Sequence, residues 1–76
     1  RPKMKIMSFD IESFEEAGKN KIIMISVAGK NLNKIITYRK ASHKYAEIVD
    51  NEKELLERFL QLVQDYDPDI IFTYNG

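Results

Sequence analysis

The chain reads as an α/β domain of order βββαβ, with a mixed sheet in which three antiparallel strands are followed, across one helix, by a strand parallel to the first. Three observations predict this. Met7, Phe9 and Ile11 alternate with Ser8 and Asp10, the period of a strand with one buried face. Between Asp50 and Tyr66 the apolar residues return at helical spacing, and a short apolar run, Ile70-Ile71-Phe72, follows Pro68. A helix between two strands is a crossover, so the last strand can lie beside the first with its C-terminal end at the same edge.

The first strand is expected from Lys5 to Ile11. Ser13 to Asn20 carries Glu15, Glu16, Gly18 and Asn20 without an apolar period, so it is expected to be a surface loop. Lys21 to Ala28 is nearly continuous in Ile, Met and Val, which fits a strand covered on both faces in the middle of the sheet. Turn residues from Gly29 to Asn33 then lead into the β-branched and aromatic run Lys34 to Tyr38, giving a hairpin. Arg39 to Tyr45 is polar and basic. It is most simply a solvated connection, although Arg39, Lys40, His43 and Lys44 place four potential cations within six residues, which is also a way to hold a phosphate. His43 has no second ligand at a metal-binding spacing and reads as exposed.

Asn51 is a suitable cap for the helix, with Glu54 three residues on in a capping-box relation. Leu55, Leu56, Phe59, Leu60, Leu62, Val63 and Tyr66 define its core stripe, so Phe59 and Tyr66 read as packing residues rather than a base-stacking platform. Glu54 and Arg58 sit four apart and support a solvated opposite face, and Pro68 stops the helix at Asp67.

Composition narrows the function. The chain has 76 residues, one domain or less, with 12 basic and 12 acidic residues, so no global positive field draws it onto a polyanion and any nucleic-acid contact must be local. The absence of cysteine removes disulfides and thiolate metal sites and is compatible with a reducing cytosol. The longest apolar run, Ile22 to Ala28, is far short of the ~18 residues of a membrane span.

Chemistry concentrates at Phe9-Asp10-Ile11-Glu12-Ser13. On a strand Asp10 and Glu12 project from one face about 6.6 Å apart along the backbone, while Phe9 and Ile11 face the other way. Adjacent carboxylates on a rigid element repel each other unless a cation lies between them, and phosphodiester-cleaving sites use pairs of divalent ions roughly 3.5–4 Å apart. An Asp-x-Glu pair by itself is also an ordinary solvated strand face.

Phe9-Asp10-Ile11-Glu12-Ser13, followed after the helix by Asp67-Pro68-Asp69-Ile70-Ile71 and Tyr74-Asn75-Gly76, resembles the proofreading 3'-5' exonuclease domain of family B DNA polymerases, especially archaeal ones, across essentially the whole chain. The resemblance implies a partial ribonuclease-H-like fold in which a mixed sheet is flanked by helices. It implies that Asp10 and Glu12 are catalytic and bind Mg²⁺ or Mn²⁺, that Ser13 lies near the 3' end of a DNA single strand, and that Asn75 contacts that strand. The second motif's aspartate and the whole third motif would follow Gly76, and the chain begins at Arg1 without an initiator Met. The expectation is therefore a truncated exonuclease domain from a larger, cytoplasmic, archaeal-like enzyme (nuclear in a eukaryote), inactive on its own, whose last strand leaves an edge open to homodimerisation. Another ribonuclease-H-like nuclease is an alternative that Tyr74-Asn75-Gly76 disfavours. A non-catalytic binding or structural module of the same fold is a further alternative, disfavoured because packing gives no reason to keep two carboxylates together on one strand face.

Overall fold

The computed structural model describes residues 4–74. Strands β1 (Ile6–Glu16), β2 (Lys19–Gly29) and β3 (Leu32–Thr37) run antiparallel in sequence; a short β4 (Ala46–Ile48) lies parallel to β3; helix α1 (Glu52–Tyr66) crosses over to β5 (Ile70–Thr73), parallel to β1. The sheet order is β4-β3-β2-β1-β5, with β2 at its centre. This is the expected α/β mixed sheet with one addition, β4, whose three residues are too few to show a period within a polar stretch.

The expected loop at Ser13 to Asn20 is instead strand. β1 and β2 continue as an arm closed by Ala17 and Gly18, both at positive φ (54° and 77°), the twist that a tight hairpin needs. Residues 11–21 are exposed throughout, so no core face imposes alternation there and the sequence carried no period to read. A bulge separates arm from body: Glu12 faces Met24 while Ser13 faces Ile22, leaving Ile23 as the extra residue on β2.

One face of the sheet holds the core. Met7, Ile25, Val27 and Ile36 pack against Leu55 and Leu62 of α1, and the Phe9 and Phe59 rings meet at 5.0 Å between centroids. Each buried aliphatic side chain contributes about 1.5–3 kcal/mol relative to exposure, so this set decides which face is inside. The helix stripe is wider than the surface it covers: Leu56 and Leu60, expected in the core, are 39% and 59% exposed.

The connections are tied down by polar contacts. The Asn51 side chain accepts from the Glu54 N–H at 2.9 Å, and the Glu54 carboxylate accepts from the Asp50 N–H at 3.0 Å, one residue earlier than a standard capping box. Glu52 accepts from the Ile22 N–H at 2.8 Å, fixing the start of α1 to β2. At the far end Asp67 adopts a left-handed conformation (φ 51°), and Asp69 exchanges contacts with the Lys5 backbone: its carboxylate accepts from the Lys5 N–H and its own N–H donates to the Lys5 carbonyl, both at 2.7 Å. Tyr66 lies over Gly29, where an added Cβ would come within 2.7 Å of the phenol oxygen, and its hydroxyl donates to the Lys30 carbonyl.

Arg58 does not pair with Glu54 as its spacing suggested. It reaches Glu47 on β4 at 2.7 Å, and Lys34 of β3 completes the cluster at 3.2 Å. The Arg58 hydrogen bond is the main cause holding the Glu47 carboxyl below its ordinary value of 4.5. A carboxylate with a lowered folded-state pKa adds stability above its unfolded value and loses it as pH falls through the folded value. Glu47→Gln is therefore expected to cost about 0.5–1 kcal/mol at neutral pH. The difference from wild type should vanish well below pH 4.5, as denaturant unfolding at the two pH values would show.

Candidate metal and nucleic-acid site

β1 is paired on both sides where it crosses the core. Its register with β5 runs from Ile6↔Ile70 to Phe9↔Thr73, and the Tyr74 N–H donates to the Phe9 carbonyl at 3.2 Å. Asp10 is the first residue past that parallel pairing, still held on its other side opposite Ser26 of β2, and Glu12 stands opposite Met24. Alternation assigns both carboxylates to the face away from α1, because Met7 and Phe9 occupy the helix face. Both are exposed, and the ion pairs among the described residues centre on Glu47, not on them.

The helix-free face carries a groove of about 390 Å³, lined by Ser8, Asp10, Ser26, Ile35, Tyr45 and Tyr74 among others. Opening at the C-terminal ends of two parallel strands is where α/β sheets place ligands, because the loops diverge there. Asp10 and Glu12 offer hard oxygen donors of the kind that suit Mg²⁺ or Mn²⁺. Among the described residues no three His, Cys, Asp or Glu side chains gather as a metal cluster, so the pair alone fits part of such a coordination shell.

Ser13 is exposed at the bulge, one residue past Glu12. Asn75 lies outside the described residues. His43 is exposed as expected; its ring tilts against Tyr45 at 5.4 Å and its Nδ1 accepts from the Tyr45 N–H at 3.2 Å. The sequence reading missed two features. Tyr74 joins Asp10 in lining the groove, and Arg39 places its guanidinium 5.1 Å from the centroid of the Phe14 ring. The second was hidden because Phe14 was expected in a loop.

The whole chain, residues 1–76, matches the family described as DNA polymerase family B, exonuclease domain. The chain belongs to this family. Its curated relatives include the DNA polymerases of Thermococcus aggregans (44% identical over 77 residues), Thermococcus hydrothermalis (46% over 77) and Pyrococcus glycovorans (44% over 77). Each alignment takes in 96% of this chain but only 4%, 5% and 10% of the respective relative. Membership in the family B exonuclease family bears out the resemblance drawn from Asp10, Glu12 and the residues after the helix. Among the described residues, the five-stranded mixed sheet with one helix is consistent with part of a ribonuclease-H-like exonuclease fold.

Proposed function

We propose that this chain contributes Asp10 and Glu12 as metal-binding catalytic residues to the proofreading 3'-5' exonuclease of a DNA-directed DNA polymerase, which removes 3'-terminal nucleotides from DNA. The observation that carries the reading is the placement of the two carboxylates on one face of β1, just past the end of its pairing with β5, in a chain of this family. Mg²⁺ or Mn²⁺ would be held by Asp10 and Glu12, and when bound would activate the attacking water and stabilise the departing 3' oxygen.

The chain's own residues do the positioning. Pairing to β2 fixes the spacing of the two carboxylates. The Ser13 hydroxyl would hydrogen-bond near the 3' end, and Asn75 would contact the single strand. The partner is thus a single-stranded DNA 3' end, in the cytoplasm of an archaeal-like cell or the nucleus of a eukaryotic one. Among the described residues no helix is long and apolar enough to cross a membrane.

A second copy of the chain is the partner proposed for β5. Among the described residues this strand ends the sheet, so one row of its backbone groups has no strand beside it there, and Ile71 and Phe72 are 46% and 53% exposed on opposite faces. Antiparallel pairing of two β5 strands about a two-fold axis satisfies both rows and closes the assembly.

Three outcomes test these readings. Mn²⁺ added to the 76-residue chain is expected to broaden the magnetic resonance lines of Met7 to Ser13, weakly because a hard cation takes about six or more oxygens. Equal broadening in the Asp10→Ala, Glu12→Ala double variant would sink the metal site. The isolated chain is expected to leave labelled single-stranded DNA intact with Mg²⁺, because groups that act as a unit lose their rate enhancement together. Cleavage from the 3' end that Asp10→Ala abolishes would show that these residues suffice. Light scattering over a concentration series should reveal a dimer that Ile71→Lys converts to monomer, whereas a monomer at every concentration would refute strand pairing.

A further inference from the structure

Cations that the exonuclease reading does not use reach the carboxylate face: Lys21 of β2 stands directly opposite Phe14, and Arg39 is held against the Phe14 ring. Phe14 is two residues beyond Glu12, and the extra residue of the bulge, Ile23, belongs to β2, so alternation along β1 places Asp10, Glu12 and Phe14 on the same face. Arg39 comes to this face from the end of β3. Its starting point is fixed by a short relay: the Arg39 N–H donates to the Thr37 hydroxyl at 3.1 Å, and that hydroxyl donates to the Ile23 carbonyl at 2.6 Å. Thr37 is fully buried and stands on the same rung of the sheet as Glu12, with Met24 between them. From that anchor the guanidinium extends across β2 to the Phe14 ring, 5.1 Å from its centroid.

Two properties make Arg39 more than a solvated charge. It forms no ion pair among the described residues, although its anchor Thr37 is on the rung of Glu12, so its charge is not consumed internally. It is also oriented: an aromatic face holds a guanidinium by cation–π attraction and leaves the planar N–H fork exposed along its edge. The other cations of the stretch are less committed to this face; Lys44, for example, turns its ammonium over Tyr45 at 5.0 Å. In a chain with equal numbers of acidic and basic residues, a local fork beside two carboxylates supplies the positive charge a polyanion needs there.

We infer that Arg39 binds a backbone phosphate of the DNA single strand close to its 3' end, with Phe14 as the positioning residue that holds the guanidinium. The fork matches two phosphate oxygens at once, which a lysine cannot do. The assignment rests on the exonuclease reading for the identity of the strand, and the rung that Thr37, the anchor of Arg39, shares with Glu12 sets which phosphates lie within reach.

The test is binding of a short oligothymidylate to the isotope-labelled 76-residue chain, followed at several salt concentrations through the Arg39 Nε–H and the amides of Ile11 to Phe14. Wild type should show saturable shifts at these positions. Arg39→Gln should bind about two- to fivefold more weakly, and its plot of log affinity against log salt should be shallower by about 0.7, the loss of one phosphate contact to a single strand. Arg39→Lys should keep the salt slope without regaining full affinity. Phe14→Leu should weaken binding with the slope unchanged, as expected if it acts only through Arg39. An Arg39 Nε–H resonance unmoved by the oligonucleotide in wild type, or wild-type affinity and slope in Arg39→Gln, would overturn the inference. The Mn²⁺ titration separates the two readings: broadening at Met7 to Ser13 without any oligonucleotide effect at Arg39 defeats the phosphate contact alone, and the reverse result defeats the metal site alone.

Discussion

Hydrogen bonding of β1 on both of its edges is the constraint from which the rest of the arrangement follows. Antiparallel β2 on one side and parallel β5 on the other leave Met7 to Phe9 no freedom to rotate, so the assignment of successive side chains to opposite faces is fixed. A one-residue slip would put Asp10 against Phe59 and Met7 in water. Loss of a buried aliphatic side chain at about 1.5–3 kcal/mol, together with burial of a carboxylate that has no partner, makes such a slip prohibitive. The core on the helix side therefore determines which side chains stand on the other side.

Helix α1 enforces the same register from a distance. Its start is bonded to β2 through Glu52 and the Ile22 N–H, and the segment after it is bonded to the Lys5 backbone through Asp69. One end of the crossover is thereby anchored to β2 and the other to the residue preceding β1, and β5 enters alongside β1. Tyr74 arrives next to Asp10 because the preceding residues are paired in step with Ile6 to Phe9.

Elements with one buried face were legible in the sequence and those without one were not. Met7, Phe9 and Ile11 and the stripe of α1 announced themselves by period, and β2 by a continuous apolar run; with them came the mixed sheet and the parallel last strand. Only the helix-side residues Ile25 and Val27 of β2 are buried, and the expected cover on both faces is not found among the described residues. The arm from Ser13 to Lys21 buries nothing on either face, so its residues satisfied backbone pairing while looking like a polar loop. Only Gly18, following Ala17, hinted at the tight turn. The three residues of β4 are too short for any pattern, and the Glu47 contacts that hold them join residues distant in sequence. The same distinction divides the site. Asp10 and Glu12 were visible as a local spacing, whereas the approach of Arg39 to Phe14 depends on a bulge and a strand end that no local pattern encodes.

Exposure of the carboxylate pair is itself a physical requirement. At about 6.6 Å, two unit charges repel by roughly 0.6 kcal/mol in water and by about 2.5 kcal/mol at the effective dielectric of about 20 near a protein interior. In solvent the repulsion is a minor fraction of a small domain's stability; under the helix it would compete with one of the core side chains. The chain resolves this by placing Asp10 just past the end of the β5 pairing and Glu12 at the root of the arm, where the sheet still dictates direction but the core no longer covers either face. The same location keeps the pair open to an incoming cation, whose charge would turn the repulsion into attraction. Rigid backbone and solvated side chains are thus obtained together only at this boundary between core and arm, and the acidic pair of the first motif stands on it.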